Sequence, residues 1–235
     1  VTLVFIDLTQ GWLVTDSGLQ NEASTALYVT ATGGTITCSG DYRIHTFTGP
    51  GTFCVSCAGN AAGSNTTDYL VIAGGGGGGN DHGGGGGAGG YRTTFPSPGC
   101  NAGAFPISAT TYPITVGAGG TAAGPSGPPG NAAPSGGDSI FSTITSTGGG
   151  GGGNYPSNGG AGGSGGGAAA DSTTGGAGNT PPVSPPQGNN GGNGLNGGYS
   201  GGGGGAGAVG QNATSPKAGN GGNGLANSIT GSSVT

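Results

Sequence analysis

Runs of consecutive glycine constrain this chain more than any other feature of its sequence. Glycine blocks occupy residues 74–79, 83–87, 148–153, 165–167 and 201–205. Nine of the 66 glycines lie in residues 1–72, so 66 − 9 = 57 lie in residues 73–235. Each interior glycine destabilises an α-helix by about 0.8–1 kcal/mol relative to alanine, which excludes ordinary helices there. Large apolar side chains are also scarce in this region, which argues against an enzyme core and favours a structural or recognition protein.

The charged residues exclude two further classes of partner. Three cations, Arg43, Arg92 and Lys217, stand against eight acids, for a formal net charge of −5. These cations are too few for the basic surface that nucleic-acid binding requires, or for a polybasic membrane patch. No apolar stretch approaches the roughly 20 residues of a transmembrane helix. We therefore expect no nucleic-acid partner and no membrane insertion.

The first 72 residues predict β structure in two parts. Residues 1–27 are typical of the end of a preceding β unit plus a connector, with a turn at Gly11-Trp12. Methionine is absent, and we expect the chain to be a processed form or a fragment. Residues 28–72 alternate strand-forming stretches with tight turns and predict an antiparallel meander of four or five short strands. The apolar stretch at 68–72 predicts a strand that is buried on both faces.

Residues 73–235 need a source of cohesion other than side chains. In a polyproline-II-like helix, three residues per turn leave every backbone N–H and C=O pointing outward, and glycine, unlike proline, keeps its N–H donor. Neighbouring glycine helices can approach closely and exchange hydrogen bonds worth about 0.5–1.5 kcal/mol each. We therefore predict an all-β or irregular chain with essentially no α-helix, in which the meander precedes a polyglycine-II-like helix bundle. A disordered linker is the alternative.

Several stretches together resemble the glycine-rich domain of bacteriophage tail-fibre and tail-tip proteins. They are residues 44–53, residues 69–73 with the glycine run that follows, and residues 83–92, 112–120 and 138–153. Residues 1–20 resemble the β end-piece that often precedes such domains, whereas residues 154–235 match by composition only. The glycine-rich part also resembles the adhesin tips of T-even-like phages, in which polyglycine-II helices form a sandwich and distal loops contact host receptors. The resemblance transfers no binding residue.

The resemblance implies a segment of a phage tail fibre or tail tip that supports attachment to the host cell surface. It further implies a homotrimer in contact with other tail proteins, a virion or extracellular location, and a host surface glycan or outer-membrane protein as receptor. Two alternatives stay open. One is a secreted glycine-rich protein that polymerises into an extracellular filament or matrix, and the other is a bacterial surface adhesin.

Aromatic and polar residues between the glycine runs are the candidates for receptor contacts, because aromatic rings offer a large contact area at low entropic cost. They are Tyr91, Arg92, Phe95, Asn154, Tyr155, Asn158 and Tyr199. The alternative is that these side chains cap the ends of the glycine bundle. The stretch Asn80-Asp81-His82 is either a turn or an exposed loop tip, and the proline-rich residues 179–187 predict a stiff loop.

No sequence pattern supports catalysis or a cofactor. His45 has no accompanying nucleophile motif, no close pair of acids suggests glycoside hydrolysis, and the phosphate-loop signature is absent. Cys54 and Cys57 lack the second cysteine pair that a zinc site requires. With Cys38 and Cys100 they are candidates for disulfides of unknown pairing if the protein is extracellular, and free thiols are the alternative. We expect no enzymatic activity, no metal and no cofactor.

Overall fold

The computed structural model describes residues 2–7, 11–16, 25–95, 104–124 and 130–235. Every strand pairing within these residues is antiparallel, and no helix occurs among them. The prediction of an all-β, antiparallel chain without α-helix is therefore confirmed for the described residues. The strands are β1 (Thr2–Asp7), β2 (Gly11–Asp16), β3 (Val29–Thr32), β4 (Thr35–Ser39), β5 (Tyr42–Thr46), β6 (Gly51–Ala58), β7 (Thr66–Thr67), β8 (Leu70–Ile72), β9 (Tyr91–Thr93), β10 (Phe105–Pro106), β11 (Thr111–Thr115), β12 (Ser139–Phe141) and β13 (Ile144–Ser146).

A five-stranded sheet in the order β13-β12-β11-β6-β3 is the main element of the β part. The long strand β6 pairs with β3 along one edge and with β11 along the other, so that Phe53 lies opposite Tyr112. The other strands form two-stranded pairs: β1 with β2, β4 with β5, β7 with β10, and β8 with β9. The main sheet thus takes strands from both sides of residue 73, and the division into residues 1–27, 28–72 and 73–235 stays a prediction.

The predicted meander is wrong in its connections. Consecutive strands β3 and β4 do not pair, because β3 pairs with β6 while β4 and β5 form a separate hairpin. Gly33 and Gly34, which lie between β3 and β4, have φ values of 111° and 63°. Side chains rarely tolerate this left-handed region, and the two glycines use it to turn the chain out of the sheet. The turn predicted at Gly11-Trp12 is also wrong, since both residues belong to β2.

Aromatic rings fill the core beside the main sheet. The ring centroid of Phe141 lies 5.1 Å from that of Phe105, 5.8 Å from that of Tyr112, and 6.2 Å from those of Phe53 and Tyr69. Four of these residues belong to one buried cluster, against which the partly buried Phe105 packs, and the cluster also includes buried aliphatic side chains from β3, β6 and β8. Aromatic pairs at these separations stabilise a core beyond their area of burial.

Strand β8 is buried on one face only. Val71 belongs to the core, whereas Ile72 is 54% exposed and Leu70 is half-buried. Alternate residues of a strand point to opposite faces, and only one face of β8 meets the aromatic cluster. The prediction that residues 68–72 are buried on both faces is therefore wrong.

The glycine-rich part consists of extended segments that are held together by backbone hydrogen bonds, and we call it the glycine array. Successive segments run back and forth, so the array has one end that adjoins the strands, the sheet end, and an opposite end made of turns, the far end. Its segments are residues 73–79, 83–90, 117–124, 131–137, 148–153, 159–163, 164–170, 174–179, 187–194, 200–206, 208–213 and 218–224.

Hydrogen bonds in the array repeat every three residues, unlike those of a β-ladder. In the segment at 148–153, the N–H groups of Gly149 and Gly152 bond to the neighbour at 74–77, whereas those of Gly150 and Gly153 bond to the neighbour at 164–167. Carbonyls of the same segment accept bonds from three neighbouring segments, at residues 84–87, 133–136 and 160–163. One buried segment thus contacts five others around its axis.

Close backbone approach explains why so many of these positions are glycine. A Cβ atom at Gly150 would lie less than 3.0 Å from the carbonyl of Gly160, and one at Gly76 would lie as close to the carbonyl of Gly150. Real Cβ atoms essentially never come so near to backbone atoms. Since backbone cannot move aside as a flexible side chain can, any larger residue at these positions forces two segments apart.

Candidate functional site

Turns from different parts of the chain meet at the far end of the array. The backbone N–H of Asn80 donates to Asn154 Oδ1 at 3.1 Å, and its side-chain Nδ2 donates to the carbonyl of Gly124 at 2.6 Å. The N–H of Ala170 donates to the carbonyl of His82 at 3.0 Å. Because hydrogen bonds join the turns at residues 80–82, 154–158, 170–173 and 195–199 to one another, these four turns present one continuous surface. The turns are at residues 80–82, 154–158, 170–173, 195–199 and 214–217.

Asp81, His82 and Asp171 form the polar part of this surface. Their φ values of 44°, 53° and 60° place all three in the left-handed region, where tight turns place Asp and related polar residues more readily than bulky ones. The side chains of Asp81 and His82 are 71% and 60% exposed, and His82 Nδ1 lies 3.0 Å from Asp81 Oδ1. The turn interpretation of Asn80-Asp81-His82 and the exposed-tip interpretation therefore both apply.

Tyr155 contacts both the turn at residues 80–82 and the turn at residues 170–173. Its hydroxyl donates to Asp171 Oδ2 at 2.8 Å, and its ring meets the His82 ring edge-on at a centroid distance of 6.1 Å. The hydrogen bond to Asp171, followed by the negative charge of that carboxylate, raises the pKa of the Tyr155 hydroxyl. The other carboxylate oxygen of Asp171 accepts the N–H of Gly197 at 3.0 Å. We call the group of Asp81, His82, Tyr155 and Asp171 the far-end cluster.

The far-end cluster can bind a polar partner by accepting hydrogen bonds and by ring contact. Its carboxylates accept hydrogen bonds from hydroxyl, amide or amine groups, and the Tyr155 ring offers an apolar surface. Asp81 and Asp171 give the cluster negative charge, and it includes neither lysine nor arginine. This charge disfavours phosphate and carboxylate groups and suits neutral or cationic ones.

Four of the predicted contact residues lie at the far end. Asn154 is buried at 3% exposure and holds Asn80, whereas Tyr155 is partly exposed. Asn158 is exposed, and its Oδ1 accepts the hydroxyl of Ser172 at 2.6 Å. Tyr199 is half-buried and pairs through its backbone with Leu195.

The other three predicted contact residues lie at the sheet end. Tyr91 is buried at 7% exposure, and its hydroxyl accepts Asn227 Nδ2 at 2.8 Å. Arg92 Nη1 donates to the carbonyl of Thr145 at 3.4 Å, and the Phe95 ring meets that of Tyr42 edge-on at 6.4 Å. The structure therefore separates these three residues from the far-end group by the length of the array.

Sequence reasoning missed Asp171, which holds two far-end turns together. One signal in the sequence could have indicated it, since Asp171 is the only charged residue between Asp138 and Lys217.

The proline-rich loop at 179–187 lies at the sheet end, where Gln187 Oε1 accepts the N–H of Thr147 at 2.8 Å.

The cysteines and acidic residues form no metal site in the part of the chain that the structure describes. Cys38, Cys54 and Cys57 are free thiols, and the first two are exposed. Cys100 lies outside the described residues, so the candidate disulfides that involve it stay a prediction. Within residues 2–7, 11–16, 25–95, 104–124 and 130–235, no helix is long and apolar enough to cross a membrane.

Comparison with protein families identifies one matching family. The family model of the glycine-rich domain matches residues 46–235, which is most of the chain. The chain belongs to this glycine-rich domain family. The match supports the glycine-rich part of the resemblance noted from the sequence and carries no information about tail fibres. A search of curated proteins and a search of solved structures each found no match.

Proposed function

We propose that the glycine array is a polyglycine-II-like bundle that acts as a stiff support. The supporting observation is the three-residue repeat of its hydrogen bonds, since a helix with three residues per turn aims every third N–H at the same neighbour. At about 3.1 Å per residue, a six-residue segment spans about 19 Å. Hydrogen bonds between many segments offset the entropic cost of ordering the glycines, which is about 1–2 kcal/mol per residue.

The function that this geometry supports best is attachment. We propose that the protein is a segment of a phage tail fibre or tail tip that presents its far-end turns to the host cell surface. The observation that carries the proposal is the far-end cluster, because turns from distant parts of the chain converge there and leave charged side chains exposed and the Tyr155 ring partly exposed. The partners under this proposal are a surface glycan or outer-membrane protein of the host, other tail proteins and further copies in a trimer.

A cell-binding assay tests the attachment proposal. Fluorescently labelled protein is titrated onto a panel of intact Gram-negative bacterial strains, and binding to at least one strain is expected. Because aromatic residues dominate recognition surfaces, Tyr155→Ala should weaken that binding by about tenfold or more. Val209→Ser is the matched control, since Val209 is 57% exposed on a segment outside the far-end cluster.

Two results would count against attachment. One is the absence of binding to every strain, and the other is equal loss of binding in both variants. Thermal unfolding of each variant separates loss of a contact from loss of the fold.

The second candidate function is a secreted protein that polymerises into an extracellular filament or matrix. The observation in its favour is the exposed segment at 117–124, most of whose outward backbone groups have no partner among the described residues. A bacterial surface adhesin combines features of both candidates. Growth of long filaments with rising concentration favours the matrix function, whereas a discrete trimer or monomer favours the fibre tip.

A further inference from the structure

Among the described residues, none occupies one position beside the segment at 200–206. Around this segment, the three-residue repeat provides directions for six neighbours, three reached by N–H groups and three by carbonyls. Five are occupied, by the segments at residues 83–90, 164–170, 187–194, 208–213 and 218–224. The sixth direction lies between the segments at 83–90 and 218–224, where the structure has a groove of about 620 Å³.

The hydrogen-bonding groups that a sixth neighbour would use have no partner within the part of the chain that the structure describes. Gly201 and Gly204 donate to one neighbour, and Gly202 and Gly205 donate to another. The N–H of Gly203 belongs to the third set of N–H groups in the three-residue repeat, the set that would bond to the sixth neighbour. This N–H has no hydrogen-bond partner among the described residues. On the adjoining segment, the carbonyl of Gly86 likewise has no partner there. Both residues line the groove, so its floor and wall offer an unpaired donor and an unpaired acceptor.

The walls of the groove show what it can accept. Aliphatic side chains flank it near the sheet end, and two of them, Ile72 and Val234, are 54% and 60% exposed. The described lining contains no charged side chain. An extended, uncharged segment with small side chains therefore fits, because it can approach the glycines closely and use their free backbone groups.

This chain carries a segment of that kind on its own surface. Residues 117–124 (GAGGTAAG) have no charge and no side chain larger than threonine. Gly120 and Ala123 bond to the neighbour at 75–78, again three residues apart. The N–H groups of Gly119 and Ala122 have no partner among the described residues, and both residues are exposed.

We infer that the groove is a self-assembly site, filled by the 117–124 segment of a second copy of this chain. The inserted segment completes the ring of neighbours around 200–206 and pairs with the free groups of Gly203 and Gly86. Neither surface carries a charged side chain, which limits the repulsion that a net charge of −5 would otherwise impose. Since the two surfaces differ, the contact is heterologous and generates a closed ring or an open filament. The inference is independent of the attachment function.

Sedimentation measurements on the 235-residue chain test this inference. Over about 1 μM to about 1 mM, which spans moderate to weak affinities, the weight-average mass should rise at least about twofold as copies associate. Over the same range, amide exchange at Gly119 and Ala122 should slow by about tenfold or more, because association protects these groups. A monomer at every concentration would overturn the inference, as would unchanged exchange at both residues in an oligomer.

A matched pair of variants locates the contact. Gly221 lines the groove, and a Cβ there meets no atom closer than 3.8 Å, so Gly221→Arg fills the groove without disturbing the array. Gly49→Arg adds the same charge in a loop of the β part, where a Cβ has no atom within 4 Å. Gly221→Arg should remain a monomer, and Gly49→Arg should associate like the unsubstituted chain.

Equal association of both arginine variants places the contact elsewhere and overturns the inference. The cell-binding assay applied to Gly221→Arg keeps the two proposals apart. If binding per subunit is retained while assembly is lost, the attachment surface and the assembly groove are separate.

Discussion

The main sheet and the glycine array of this protein achieve cohesion by opposite means. In the sheet, side chains hold the structure together: Phe141 alone has four aromatic neighbours within 6.2 Å of its ring centroid. In the array, backbone groups of segments distant in the sequence bond directly, as when Gly87 donates to Gly150 at 2.8 Å. Substitution should therefore damage the two regions in opposite ways. The sheet is sensitive to atoms that are removed, and the array is sensitive to atoms that are added.

The largest effect is expected in the sheet, from Phe141→Ala. This change removes the ring at the centre of the aromatic cluster and leaves a cavity, which typically lowers the free energy of unfolding by about 3–5 kcal/mol. Chemical denaturation monitored by tyrosine fluorescence measures the loss. Ile72→Ala on neighbouring strand β8 is the control, because Ile72 is 54% exposed and should change stability by only about 0.5 kcal/mol. Equal losses for the two variants would show that the cluster is not the main source of stability.

In the array, addition of one methyl group should be destabilising. Gly150→Ala places a Cβ against the backbone of Gly160, and overpacking of this kind typically costs about 1–3 kcal/mol. Gly75→Ala is the matched control, since the nearest atom to its added Cβ is the carbonyl oxygen of Gly87 at 3.6 Å. There the reduced entropy of the unfolded chain should stabilise the protein by about 0.4–1 kcal/mol.

Opposite effects of Gly150→Ala and Gly75→Ala on the free energy of unfolding are expected if the backbones of the array pack closely. If both variants stabilise the protein, the segments have room for side chains, and close backbone packing is wrong. Denaturation midpoints at unchanged slope provide the measurement.

Local features of the sequence predicted the strands better than their partners. Residues 112–116 and 139–147 are rich in strand-forming residue types, and in the structure β11 overlaps the first stretch while β12 and β13 lie in the second. That β11 pairs with β6 was not predictable, because the pairing depends on contacts between residues more than fifty positions apart. The positive φ of Gly33 and Gly34, which sends β4 out of the sheet, has no signature beyond the two glycines themselves.

The far-end cluster was likewise predictable only in part, because its residues are brought together by contacts between distant parts of the chain. Tyr155 was recognisable as an aromatic residue between glycine runs, and Asp81 as part of a turn. Their proximity to Asp171 depends on which segments of the array are neighbours. Glycine runs carry no side chains that specify those neighbours, so the sequence indicates the turns without indicating how they group.

The smallest effect concerns two serines that are both completely buried, one in each region. At the end of the sheet, Ser146 donates its hydroxyl to the carbonyl of Gly90. In the array, the hydroxyl of Ser164 has no hydrogen-bond partner among the described residues. Ser146→Ala should therefore lower the free energy of unfolding by about 0.5–1.5 kcal/mol, the net value of one hydrogen bond.

Ser164→Ala should be neutral or stabilising, since it removes a desolvated group without breaking a bond. Its backbone N–H and carbonyl keep their bonds to Ala88 and Gly150, so the change tests the side chain alone. Thermal unfolding of the two variants side by side measures the difference between them. A loss at Ser164 as large as that at Ser146 would mean that side chains stabilise the array too, and the contrast between the two regions would then be one of degree.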